Sequence, residues 1–102
     1  MQNKKNTQEK EEVIVKLPKF LAKYRPGNPN TVRIDKEIVK TIQYLWKSKI
    51  ETLGCCSGHG ASKPNIVIAE GYSDKDIKNI RNLIKKIDKR KWVIYQWRLT
   101  EV

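Results

Sequence analysis

The side chains best suited to chemistry crowd into one stretch, Gly54-Cys55-Cys56-Ser57-Gly58-His59-Gly60. It holds both cysteines, the single histidine and three of the five glycines. Thiolate and imidazole are zinc ligands, so a metal site is one reading. The spacing argues against it. Adjacent cysteines point to opposite sides of a strand, and the chain has no further Cys or His to complete a tetrahedron. Only a site shared between chains would do so. A Cys–His nucleophile is a second reading, but no carboxylate can be identified to orient the histidine. A third is an anion nest of backbone N–H groups, although the glycines do not match phosphate-loop spacing. The plainest reading is a strand end and a tight turn, with glycine supplying positive φ and small cysteines packing against a helix. The segment is therefore expected to be structural: no metal, no cofactor, no catalytic residue.

The elements that must position this turn show a worn repeat. Asp35-Lys36-Glu37-Ile38 opens one amphipathic stretch, and Asp74-Lys75-Asp76-Ile77 opens another thirty-nine positions later. The first helix is expected from Asp35, as N-cap, to Ser48, with Ile38, Ile42, Leu45 and Trp46 on its buried face. The second is expected from Asp74 to Lys89, with Ile77, Ile80, Leu83, Ile84 and Ile87 as its apolar stripe. Ser73 and Asp76 have the spacing of a capping box. Strands are expected at Val13–Leu17, Thr52–Cys56, Asn65–Glu70 and Trp92–Thr100. The run Ile66-Val67-Ile68-Ala69 is apolar on both faces, as a central strand requires. Pro18 to Thr31 reads as a connection, with one short helical turn at Lys19–Tyr24 and a loop at Pro26-Gly27-Asn28-Pro29-Asn30.

The resulting order is βαββαβ, an α+β chain of two tandem βαβ units related by pseudo-twofold duplication, as in a ferredoxin-like fold. Residues 1–12 are polar and expected to be a disordered tail. Residues 13–102 form one domain, with repeats at 13–57 and 65–100. In that order the first and third strands are central, and the second and fourth are edges.

The composition leaves two binding readings. The net charge is +11, concentrated in residues 16–49 and 74–91. A field of that size attracts phosphates or acidic surfaces, although a solvated lysine-rich surface would look the same. On the second helix Lys75, Lys78, Arg81, Lys85 and Lys89 lie opposite the apolar stripe and could follow DNA or RNA phosphates. The expected central strands carry no aromatic residue, which disfavours base stacking on the sheet. On the last strand Trp92, Tyr95, Trp97 and Arg98 are residue types common at interface hot spots. The leading expectation is a small non-enzymatic module that binds a protein or extended peptide, in a groove between the repeats or along an edge strand. Nucleic-acid binding through the basic helix faces is the alternative. No run of about 18 apolar residues exists, and residues 1–12 lack a signal peptide's apolar centre, so an intracellular protein without a membrane span is expected. The sequence leaves the oligomeric state open.

The segment Leu53-Gly54-Cys55-Cys56-Ser57-Gly58-His59 also resembles a turn found in short phage and archaeal-virus proteins. Over the whole chain, the length, the Lys/Ile bias and the paired Asp-Lys-Glu/Asp-Ile helix starts resemble the small proteins of archaeal filamentous viruses such as Acidianus filamentous virus 1. The resemblance implies a hyperthermophilic host, with the protein in host cytoplasm or virion. It implies no catalytic residue.

Overall fold

A computed structural model describes residues 11–58 and 62–97 together with the backbone of residues 100–101. The described residues form a mixed α+β structure of two sheets and three helices. The elements are β1 (Glu12–Lys16), α1 (Lys19–Ala22), β2 (Thr31–Asp35), a 3-10 turn (Lys36–Ile38), α2 (Val39–Lys47), β3 (Thr52–Cys56), β4 (Asn65–Ile68), α3 (Asp74–Ile87), β5 (Val93–Gln96) and β6 (Thr100–Glu101).

The second half keeps the expected order of elements but not the expected neighbours, since the ferredoxin-like order would set the first strand between the two strands that flank the second helix. β3 and β4 form an antiparallel pair across the 57–64 connection. β4 and β5 pair in parallel, with α3 as the crossover between them. α3 begins with the expected capping box: the Ser73 hydroxyl accepts from the Asp76 N–H at 3.1 Å, and the Asp76 carboxylate accepts from the Ser73 N–H at 3.0 Å. Two backbone donors that a helix start leaves without intrahelical partners are thereby satisfied.

The first half departs from it. β1 pairs antiparallel with β2, not in one sheet with β3. The Thr31-Val32-Arg33-Ile34 stretch, of which only Thr31 belongs to the expected connection and the rest to no expected element, alternates β-branched and polar side chains as a half-buried strand does. Val13, Val15, Val32 and Ile34 face inward, leaving Ile14 60% exposed on the other side of the hairpin. Asp35 therefore ends a strand instead of capping an α-helix. Its carboxylate accepts from the Ser57 N–H at 2.9 Å, tying β2 to the end of β3. The strand order shows neither the ferredoxin-like arrangement nor the expected duplication.

The last strand also differs. Instead of one edge strand from Trp92 to Thr100, the chain turns after Gln96, and β6 returns to pair with β5. The sheet order is β3-β4-β5-β6, so β4 and β5 are the inner strands and β5 is not an edge.

The core lies between this sheet and the helices. Ile38, Ile42 and Leu45 from α2 and its leading turn meet Ile77, Ile80 and Ile84 of α3 over Ile66, Ile68 and Ile94. Trp46 is buried, and its Nε1 donates to the Thr52 hydroxyl at 2.8 Å. Ile87, expected in the apolar stripe of α3, is 44% exposed because the helix ends there. α2 stops in a Schellman motif. Lys49 takes φ +66°, its N–H reaches the Trp46 carbonyl at 2.9 Å, and the Ile50 N–H reaches the Leu45 carbonyl at 3.0 Å. Among the described residues no helix is long and apolar enough to cross a membrane.

Candidate functional site

The described part of the cysteine turn is held by core packing and main-chain hydrogen bonds. Cys55 lies across from Ile66 and packs against the core. Burial, and secondarily the charge of Asp35, pushes its thiol up to about 12, so it stays protonated at neutral pH and is a poor nucleophile. Cys56 faces the other side of the strand and accepts from the Gly58 N–H at 3.4 Å. Gly58 takes φ +82°, and the Ser62 N–H returns to its carbonyl at 3.1 Å. His59 lies outside the described residues. Among the described residues no three His, Cys, Asp or Glu side chains gather as a metal site would require.

The basic residues have a more organised placement. Parallel pairing sets Asn65 beside Val93. It therefore brings Lys63 and Lys91, each two positions earlier, to the same end of the sheet. Arg90 sits beside them, held by Asp88 at 2.6 Å and reaching Glu37 at 3.4 Å. Lys63, Arg90 and Lys91 line a depression of about 780 Å³ together with Asn65, Val93 and Tyr95. The same three cations border a second hollow, of about 420 Å³, that continues round the sheet end to Arg81 and Lys85 of α3 and to Lys89 just past its end. Among the described residues Lys63 and Lys91 have no acidic partner. Their signal in the sequence is a lysine two residues ahead of each parallel strand, which means something only once β4 and β5 are known to be neighbours.

The expected α3 stripe is thus divided. Arg81, Lys85 and Lys89 join the basic rim. Lys75 and Lys78 are exposed on the first half of the helix and border neither hollow. Arg81 is half-buried and donates to the Trp92 carbonyl at 3.2 Å, so it also braces the start of β5.

The aromatic set is divided as well. Trp92 is 6% exposed and belongs to the core. Arg90 holds the Asp88 carboxyl below the usual carboxylate range, and the Trp92 indole adds a minor contribution, too poor in geometry to satisfy its buried N–H. Tyr95 is half-buried on the sheet face opposite the helices, on the same side as Val67 and Val93. Trp97 is 50% exposed, and its N–H extends the parallel ladder by donating to the Ile68 carbonyl at 2.7 Å. Alternation places it on the Tyr95 side. It borders a groove of about 470 Å³ with Tyr24, Arg25, Pro26, Leu53 and Glu70. Arg25 is anchored there through a 3.4 Å bond to the Leu53 carbonyl, and Tyr24 donates to Glu51 at 2.9 Å. Arg98 lies outside the described residues.

The open sheet face therefore carries a cationic rim at one end, Tyr95 in the middle and Trp97 at the other end. The expectation that no central strand carries an aromatic residue depended on the ferredoxin-like order. In the observed order β5 is an inner strand, and it carries Tyr95. A largely polar rim with half-exposed aromatics suits reversible binding of a polyanion or an extended chain. Comparison with family models, curated proteins and solved structures gave no match.

Proposed function

We propose that this protein is a small non-enzymatic nucleic-acid-binding module that grips phosphates with the rim formed by Lys63, Arg90 and Lys91 and continued by Arg81, Lys85 and Lys89. The observation that carries the reading is the convergence of these six cations, from two loops and one helix, on two adjoining hollows at one end of the sheet. A surface that was merely solvated would have no need to gather Lys63 and Lys91 at one end of the sheet around the same two hollows, where like charges disfavour each other. The reading uses only the β4–α3–β5 unit. It needs neither the tandem duplication nor the ferredoxin-like order. It is an intracellular role, in host cytoplasm or virion if the resemblance to archaeal-virus proteins is one of descent.

Charge reversal tests it. Lys63→Glu and Lys91→Glu should weaken binding to nucleic acid of any sequence and flatten its dependence on salt, by about 0.7 to 0.9 in the log–log slope for each phosphate no longer neutralised. Lys78→Glu, outside the rim, should change little. Equal effects from all three positions would leave only a diffuse field and overturn the proposed site.

A second reading, capture of a protein or extended peptide, rests on the groove where exposed Trp97 faces Tyr24 and Pro26. It predicts a protein partner retained from nuclease-treated lysate and released on Trp97→Ala.

A further inference from the structure

The nucleic-acid reading names the charge of the ligand but not its form. We infer that the ligand is single-stranded and that Tyr95 and Trp97 receive its bases on the open face of the sheet, an inference that rests on the proposed phosphate rim.

Three features of the face lead there. The first is spacing. Trp97 immediately follows β5, and its N–H continues the ladder to the Ile68 carbonyl, so it stands two positions beyond Tyr95 on the same side, about 6.5 Å along the chain. That is the pitch at which a sheet can offer aromatic platforms to successive splayed bases. The second is accessibility. Trp97 is half exposed, and Tyr95, half-buried on the face away from Ile66 and Ile94, lines the larger of the two depressions. Paired bases inside a duplex have no free π-face to offer these rings. The third is charge at both ends of the track. Lys63, Arg90 and Lys91 stand at the beginning of β5, and Arg25 stands at the Trp97 end. A single strand laid along β5 would keep its phosphates near cations while its bases turn onto the rings. Glu70 also borders the Trp97 groove, so the negative charge there opposes a phosphate at that point and favours a base or sugar.

The arrangement separates two contributions. The rim supplies attraction that any polyanion would feel. The rings supply a preference that only unpaired bases can satisfy, because stacking needs an open base face.

The experiment compares oligothymidylate with a mixed-sequence duplex of equal length, by fluorescence anisotropy at several salt concentrations. The proteins are the full chain, Trp97→Leu, Trp97→Phe, Tyr95→Leu and Lys63→Glu, each checked for folding by circular dichroism. Leucine keeps apolar bulk but offers no ring, whereas phenylalanine keeps the ring. The expected result is tighter binding of the single strand. Trp97→Leu and Tyr95→Leu should each weaken it about tenfold. Trp97→Phe should retain most of the affinity, and duplex binding should be unaffected by either leucine variant. Equal affinity for both forms, with the leucine variants unchanged and Lys63→Glu weakened, would overturn the stacking inference and leave the phosphate rim standing. Failure of the full chain to bind either form at low salt would overturn both.

Discussion

Substituting Gly58 by alanine should strike the fold and the proposed site together. Gly58 takes φ +82°, in the left-handed region where a side chain costs about 1–2 kcal/mol. An added Cβ would also lie 3.0 Å from the Lys63 carbonyl oxygen and 3.1 Å from its carbon. Those atoms are backbone and cannot rotate aside, so the loop ahead of β4 must shift, at an overpacking cost of about 1–3 kcal/mol. The sum is about 2–5 kcal/mol, against a total of about 5–15 kcal/mol for a typical domain. Gly27 supplies the matched control, with φ +78° and nothing within 4 Å of its added Cβ. Gly27→Ala should therefore lose only the conformational part. Urea titrations of the two variants isolate the steric part as their difference. Because the displaced carbonyl belongs to Lys63, Gly58→Ala should also weaken nucleic-acid binding under conditions where it remains folded. If Gly58→Ala is no less stable than Gly27→Ala, the close approach to Lys63 carries no energetic weight and the reasoning fails.

Acid should destabilise the fold in a definite sense. The Ser73 backbone N–H holds Asp76, and Arg90 holds Asp88, below the usual carboxylate range. Their contribution is present above the unfolded value of about 3.9 and is lost as pH falls through the lower folded values. Urea midpoints measured against pH should drop over that window, and a doubly substituted Asp76→Asn, Asp88→Asn protein, which lacks both titrating carboxyls, should drop less; identical profiles would refute the assignment. Cys55 should resist iodoacetamide at neutral pH, since its thiol is pushed up to about 12 by burial. Mass spectrometry showing Cys55 alkylated as fast in the folded protein as in denaturant would contradict its place against the core.

The parts of this chain governed by local physics were legible before any coordinates. Ser73 and Asp76 announce their helix start through short-range hydrogen bonding, and the capping box is present. The Ile77, Ile80 and Ile84 stripe follows from the helical period and is buried. The order β4–α3–β5 follows from two apolar strands flanking a helix, although the direct pairing of β4 with β5 was not expected. The first half was misread where one residue had two competing uses. Asp35 is a good N-cap, but here its carboxylate is engaged by the Ser57 N–H, and the strand-like alternation of Val32 and Ile34 prevails. Once Thr31–Asp35 is a strand it becomes the nearest partner for β1, and the expected central place of the first strand, beside the third, is pre-empted. The candidate site was half visible. Tyr95, Trp97, Arg81, Lys85 and Lys89 could be singled out by residue type and helical face. Lys63, Arg90 and Lys91 could not, because their proximity depends on the register between β4 and β5, which no local pattern encodes.

The placement of Lys63 and Lys91 at one end of the sheet has a consequence for how the chain folds. Pairing Asn65 with Val93 closes a long loop through α3, so it is entropically late compared with the β1–β2 and β3–β4 hairpins. The two lysines are far apart until that step and repel once it is complete. The electrostatic work of bringing them to one end of the sheet therefore falls on a pairing later than the two hairpins. A bound polyanion would remove that work, so by mass action it would favour the closed sheet over the opened one. Added salt would also relieve the repulsion, while screening the attraction that draws a polyanion to the rim. The same pair of charges thus couples completion of the sheet to occupancy of its edge, and ionic strength moves the two in opposite directions.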